Sequence, residues 1–291
     1  MHLLMLRRVT NPMSEQARVF ITGGASGLGR ALALRFAREG YRVAIGDIND
    51  DRLAEAADAI RAAGGEPLTC LCDITSDDAV ARSAVEIEKA WGGIDVLVNN
   101  AGVASAGTLL DTSMEDWRWM TEINLLGAVR VLHAFLPMMQ AAGSGHVINV
   151  ASAAGIVQSP GMASYNVAKG GMIALSETLR SEVAGFGINV TVVCPSFFTT
   201  NLMESYRGPD EGARDLAGRL MDRSRLTADD IADAIYRGME GDEFFVFGHG
   251  EARMAYHFKR LFPGLFRWST RRAGEKLFGR FVPLKPGEVE K

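Results

Sequence analysis

Tyr165 and Lys169 stand four residues apart in the stretch SYNVAKGG at 164–171. On a helix that spacing puts a phenol and an ammonium on one face, close enough to interact. A phenol ordinarily titrates near pH 10, and matching it to neutral pH asks for about 3 pH units, roughly 4 kcal/mol of preference for the phenolate. A neighbouring cation is the means at hand, so the pair suits proton transfer to or from a substrate oxygen. In isolation the same spacing describes a surface tyrosine beside a solvated lysine, and a motif this short takes its meaning from its surroundings. The elements that would position the pair decide between the two.

Strand and helix signals alternate from residue 18 to about 248. The run RVFIT at 18–22 is short, apolar and β-rich. After a glycine turn comes GRALALRFAREG, where Leu32, Phe36 and the alanines form a helical stripe ended by Gly40. The order recurs through YRVAIGD, PLTCLCD, IDVLVNN, GHVINVAS and INVTVVCP, each followed by a helical segment, and closes on EFFVFG. Seven nearly all-apolar strands with helices between them predict an α/β fold, a Rossmann-type doubly wound parallel sheet with helices on both faces. Ser76 before an acidic first turn and Thr227 before ADDIADAI read as helix N-caps with carboxylates matched to the helix dipole.

The turn after the first strand is TGGASGLG, with Gly23, Gly27 and Gly29. Glycines there let the backbone turn tightly and approach a pyrophosphate, whose charge rests at the N-terminus of the next helix. A glycine cluster alone serves any tight turn; its place between first strand and first helix favours a dinucleotide site. Asp47 ends the second strand about 20 residues on, where a carboxylate accepts hydrogen bonds from the adenosine ribose hydroxyls. A phosphate on that ribose would meet a like charge, and Ser26 puts nothing basic in the turn to compensate. NAD is therefore expected over NADP. The structural alternative is that Asp47 only caps the loop before the next helix.

With 31 basic and 35 acidic residues in 291, the net charge of −4 gives no overall pull toward nucleic acid. There is no uninterrupted apolar run of about 18 residues that would span a bilayer. Cys70, Cys72 and Cys194 are odd in number, lie in apolar strand-like runs and lack His/Cys metal spacing, so buried thiols in a reducing, cytoplasmic setting are expected and a metal is not. The start MHLLMLRRVTNPMSEQ has its arginines after its few apolar residues and no small-residue cleavage site, unlike a secretory signal. Residues 1–16 read as an extension, of which 1–12 are loose or an upstream start, and 17–250 as one catalytic domain. Residues 199–226 break the rhythm with GPDEG and several Arg/Asp pairs, and read as a mobile segment over the site.

Together, Gly23-x-x-x-Gly27-x-Gly29, NNAG at 99–102 after the fourth strand, Asn124, Ser152 and Tyr165-x-x-x-Lys169 resemble the short-chain dehydrogenase/reductase family over roughly residues 17–248. The resemblance implies a nicotinamide-dependent oxidoreductase that moves a hydride between its cofactor and a secondary alcohol or ketone. It implies a cofactor site of Gly23, Ser26, Gly27, Leu28, Gly29 and Asp47, with Asp73 at the adenine followed by Ile74. Asn100, Ala101 and Gly102 would line the ribose side. Pro195, Phe198 and Thr200 of PSFFTT would fold over the nicotinamide, with Thr200 at its carboxamide. Lys169 would also hold the nicotinamide ribose, and the proton would move through Tyr165. Ser152 would hydrogen-bond the substrate oxygen as charge develops there, and a water between Asn124 and Lys169 would relay the proton to solvent. The plainer alternatives are that Ser152 forms a turn and that Asn124 satisfies backbone groups at a helix kink. One departure from the family pattern is Ser196, where glycine is usual after Pro195.

Ser152, Ala153, Met162, Phe197, Met203 and Tyr206 are expected to face the substrate, and such walls suit a lipophilic alcohol or ketone. The same residues would equally pack the 199–226 segment onto the body. Residues 251–291 hold 10 Lys/Arg and 4 Asp/Glu, so this basic, aromatic tail is +6 while the remainder is −10. It suits either peripheral contact with an anionic membrane or, more plainly, docking on the body or on a second subunit. The family resemblance implies a homodimer or homotetramer, and helices at 115–142 and 163–184 carry apolar faces for it. Two other functions compete: an NADP-linked ketoreductase of acyl thioesters, which Asp47 opposes, and a non-catalytic NAD-binding module, which has no chemical need for Asn124, Ser152, Tyr165 and Lys169 together.

Overall fold

The computed structural model describes residues 16–208, 218, 219, 221, 224 and 226–278. Residues 1–15 of the expected extension, 209–217 of the segment over the site and 279–291 of the tail lie outside the described residues. The strands are β1 (Arg18–Thr22), β2 (Arg42–Asp47), β3 (Glu66–Leu71), β4 (Val96–Asn99), β5 (Gly145–Val150), β6 (Ile188–Val193) and β7 (Phe245–Val246). They form one seven-stranded sheet in the order β3-β2-β1-β4-β5-β6-β7, every pairing parallel. EFFVFG contributes only its two central residues as β7.

Side chains alternate between the faces of each strand, and both faces are covered. On one, Val19, Ile21, Val43, Ile45 and Val98 meet α1 (Gly27–Arg38) and α2 (Asp50–Ala62) together with a later helix, Ala228–Glu240. On the other, Phe20, Ala44, Leu97 and Val147 meet α3 (Asp77–Trp91), and Phe20 stacks on Phe135 with ring centroids 4.7 Å apart. Phe135 belongs to a long helical segment made of α4 (Met114–Thr121), a π turn at Glu122–Leu126, and α5 (Gly127–Ala142). By length and composition Met114–Ala142 would pass for a membrane span. Val131, Leu132, Phe135 and Met139 are buried beneath the sheet, so one face of the segment packs on the core. The remaining helices are α6 (Ala153–Val157), α7 (Ala163–Val183), α8 (the Ala228–Glu240 helix), α9 (Gly250–Leu261) and α10 (Pro263–Phe278).

Side-chain caps start several of these helices. Asn49, Ser76, Ser113 and Thr227 each accept a backbone N–H from the first turn of α2, α3, α4 and α8, and each of those turns is acidic. A cap of this kind contributes about 1 kcal/mol. From β1 the chain runs outward to β3 on one side, then crosses to β4 and runs outward to β7 on the other. The crossovers part at β1 and β4, which opens a crevice at the carboxyl ends of the strands.

Candidate active site

A cleft of about 1170 Å³ occupies that crevice. Its floor begins at the glycine turn. Gly27 has φ +50°, a left-handed backbone that strains any residue with a β-carbon. A β-carbon on Gly29 would sit 2.0 Å from the carbonyl oxygen of Gly23, so only glycine lets α1 close on the turn. The N-cap of α1, Ser26, makes no side-chain bond, and the first turn of α1 holds no acid. Ser26, Gly27 and Leu28 line the cleft, so this helix start keeps its N–H groups and positive dipole end for a bound anion. Its neighbours are tied firmly. Thr22 Oγ1 accepts from the N–H groups of Asn100 and Ala101 at 3.0 and 3.1 Å, and Asn100 Nδ2 donates to the Thr22 and Gly23 carbonyls at 2.9 and 3.2 Å. At the end of β2, Asp47 accepts from Ala25 N–H at 3.3 Å and Asn49 N–H at 3.1 Å while its residue lines the cleft. It therefore caps the loop and lines the cleft at once.

The other end of the cleft holds the expected chemistry. Tyr165 and Lys169 are buried in α7, with Lys169 Nζ 5.9 Å from the centre of the Tyr165 ring and donating to the Val150 carbonyl at 3.0 Å. Ser152 closes β5 and caps α6, its Oγ accepting from Ala154 N–H at 3.1 Å. Burial pushes the Tyr165 phenol above its ordinary pKa, and a hydrogen bond with Ser152 opposes that shift. Burial also lowers the Lys169 ammonium to about 8. The acidic phenol expected from the Tyr–Lys spacing is thus not a property of the protein alone, because desolvation outweighs the Ser152 hydrogen bond.

Asn124 lies on the π turn, a feature that recurs at functional sites. Its Oδ1 accepts from Val103 N–H at 3.2 Å and its Nδ2 donates to the Val103 carbonyl at 3.1 Å. A β-carbon on Gly102 would come within 2.6 Å of Asn124 Oδ1 and 3.4 Å of Lys169 Nζ, so a bare backbone is what lets these groups converge.

Of the residues expected at the cofactor, Asp73, Ile74, Gly102, Pro195, Phe198 and Thr200 also line the cleft; Gly29 stands behind the lining in its packing role. Ala153, Met162, Phe197 and Tyr206 line the opposite end, and the side chain of Met203 lies outside the described residues. Three lining or supporting residues escaped the sequence reading. Arg52 and Glu204 meet across the rim at 2.7 Å. His249 Nδ1 accepts from Ser196 N–H at 3.3 Å, holding the segment that departs from the family pattern. Burial lowers the pKa of His249, which keeps the ring a neutral acceptor.

Comparison with known proteins fits this geometry. A family model described as short chain dehydrogenase matches residues 17–211. The chain belongs to the short-chain dehydrogenase/reductase family. This short-chain dehydrogenase is 30% identical over 251 residues to the CLA biosynthesis dehydrogenase/reductase of Lactiplantibacillus plantarum, covering 80% of this chain and 88% of that one. It is 31% identical over 237 residues to the 1-deoxy-11-beta-hydroxypentalenate dehydrogenase of Streptomyces exfoliatus, covering 80% and 83%. A solved short chain dehydrogenase/reductase from Burkholderia phymatum, in complex with NAD, matches with a TM-score of 0.81 at 27% identity, covering 86% of this chain and 95% of that one. The protein is accordingly a nicotinamide-dependent oxidoreductase acting between hydroxyl and carbonyl groups. The uncapped start of α1 and the close packing at Gly29 and Gly102 suit a dinucleotide cofactor.

Proposed function

We propose that this dehydrogenase uses NAD to interconvert a lipophilic secondary alcohol and its ketone, with Tyr165 carrying the proton. The observation that carries the reading is the convergence of Ser152, Tyr165 and Lys169 in one buried corner of a cleft whose far end presents Asp47. When bound, the cofactor supplies hydride exchange at its nicotinamide C4 and, in its oxidised form, a positive charge. Ser152 donates its hydroxyl to the substrate oxygen and holds it beside the phenol. Tyr165 takes the proton from that oxygen in oxidation and returns it in reduction. Lys169 stabilises the phenolate, and its buried corner keeps water from screening the charge. A bound oxidised cofactor would add a positive charge, which favours the phenolate together with Lys169. Asn124, with both ends of its amide on Val103, is a positioning residue that fixes the Gly102–Val103 backbone beside Lys169.

Asp47 supports NAD over NADP, because two backbone N–H groups hold its carboxylate in place and Arg52, a cation in the lining, is paired with Glu204. Ala153, Met162, Phe197 and Tyr206 support a lipophilic substrate. Leu126 and Val167, 42% and 57% exposed, support assembly as a homodimer or homotetramer through the Met114–Ala142 segment and α7, which light scattering would measure. The three free, buried cysteines suit a reducing, cytoplasmic setting.

The test is kcat/KM for NAD and NADP across secondary alcohols graded by chain length. The proposal expects NAD to be favoured at least about tenfold, Asp47→Ser to narrow that ratio about tenfold, and kcat/KM to rise about threefold per added methylene. A wild-type preference for NADP, or indifference to chain length, would refute the corresponding part.

A further inference from the structure

The α9–α10 hairpin has two unlike sides. Its inner side is docked. Ala252 and Phe266 are buried, the Tyr256 ring packs on Phe245 and Phe247, and Lys259 Nζ donates to the Ile156 carbonyl at 2.7 Å and to Gln158 Oε1 at 2.9 Å. A β-carbon on Gly274 would lie 3.7 Å from Pro160. Pro160 and Val157 line the substrate end of the cleft, so the hairpin braces that wall from outside.

Its other side is apolar and not covered by the described residues. Met254, Leu261, Phe262, Leu265 and Trp268 are 67%, 70%, 52%, 56% and 54% exposed. Met254 and Leu261 fall two turns apart on α9, and Leu265 and Trp268 one turn apart on α10, which makes stripes of them rather than scatter. Single exposed apolar residues are ordinary, but a concentration of this kind marks a contact surface. The surroundings are basic: besides the docked Lys259, residues 251–278 hold six Lys/Arg and two Asp/Glu. The Arg272 guanidinium lies 4.4 Å over the Trp268 ring.

We propose that the outer side of this hairpin docks on an anionic bilayer, its apolar stripes entering the boundary of headgroups and acyl chains and its arginines meeting lipid phosphates. Charge complementarity selects that occupant, because an aromatic-bordered apolar stripe set in cationic side chains is the pattern that lies in a membrane interface. The docking stands by itself. If the substrate is lipophilic, as proposed above, the same contact brings the braced wall of the cleft close to the phase that dissolves it.

The test is co-sedimentation of the full chain with phosphatidylcholine vesicles with and without phosphatidylglycerol. Binding to the anionic vesicles is expected to be at least about tenfold tighter than to neutral ones and to weaken as salt is raised. Leu261→Ser/Leu265→Ser should reduce it about tenfold or more, with turnover of a water-soluble alcohol unchanged, since neither residue lines the cleft. Should that variant fold poorly, the wild-type Trp268 supplies the readout: emission shifted to the blue by anionic vesicles, with the shift abolished in Trp268→Phe. Absence of binding to anionic vesicles, or equal binding by wild type and a folded double variant, would overturn the proposal. So would a fall in assembly size of the double variant by light scattering without any vesicle binding, which would assign the stripes to a second copy of the chain.

Discussion

Lys169 is under opposed demands. Its ammonium must stay charged to serve a phenolate, yet burial lowers its pKa to about 8 from 10.5. Keeping it charged at neutral pH therefore costs the fold on the order of 3 kcal/mol. Lys169→Met should abolish turnover while raising the thermal midpoint by a few degrees, measured by calorimetry. The unfolded chain holds this proton up to pH 10.5 and the folded chain only up to about 8, so stability rises with pH between those values in the wild type and less in the Met variant. Urea midpoints at pH 7.5 and 9.5 measure the difference. The placing of Tyr165, Lys169, Asp47 and the glycines at the cleft was legible in the sequence because local spacing fixes which element carries each of them. His249 was not, since it reaches Ser196 from 53 residues away through tertiary packing. His249→Leu should raise KM for the cofactor several-fold with little change in kcat, and His249→Asn, whose amide oxygen can replace Nδ1, should recover it.

At the scale of elements, the fold rests on how closely α1 approaches the turn before it. Gly29→Ala would set a methyl 2.0 Å from the Gly23 carbonyl. The helix would have to shift, lowering stability by about 2 kcal/mol or more and weakening cofactor binding in step; denaturant titration and cofactor fluorescence report the two. Strands, their order of appearance and the caps at Ser76 and Thr227 were readable because period, turn chemistry and dipole-matched carboxylates are local signals. A helix kink at Asn124, its amide on backbone groups, was readable as well; the π form of the turn at Glu122–Leu126 and the choice of Val103 as partner were not, because Val103 lies in another segment. The tail's amphipathic composition foretold two possible contacts, but which residues dock and which stay outside was decided by the aromatic seat at Phe245 and Phe247 and by Lys259.

Across the whole molecule, the sheet's interior adds a proton-linked contribution to stability in acid. His146 Nε2 lies 2.8 Å from Thr191 Oγ1, whose proton goes to the Glu243 carbonyl, so the ring donates to Thr191 through Nε2. Burial holds its pKa near 4, below the ordinary 6.5. The unfolded chain takes up the proton first, so stability should fall as pH drops from 6.5 toward 4, by up to about 3 kcal/mol. His146→Gln should flatten that part of the urea-midpoint profile. The proposed function asks one thing of the same assembled fold, that a buried phenol carry the substrate's proton. Turnover and cofactor binding of Tyr165→Phe test it most directly. Its kcat is expected to fall at least about a thousandfold, with the dissociation constant for NAD within about threefold of wild type. Turnover near the wild-type rate in a variant that still binds NAD would contradict it.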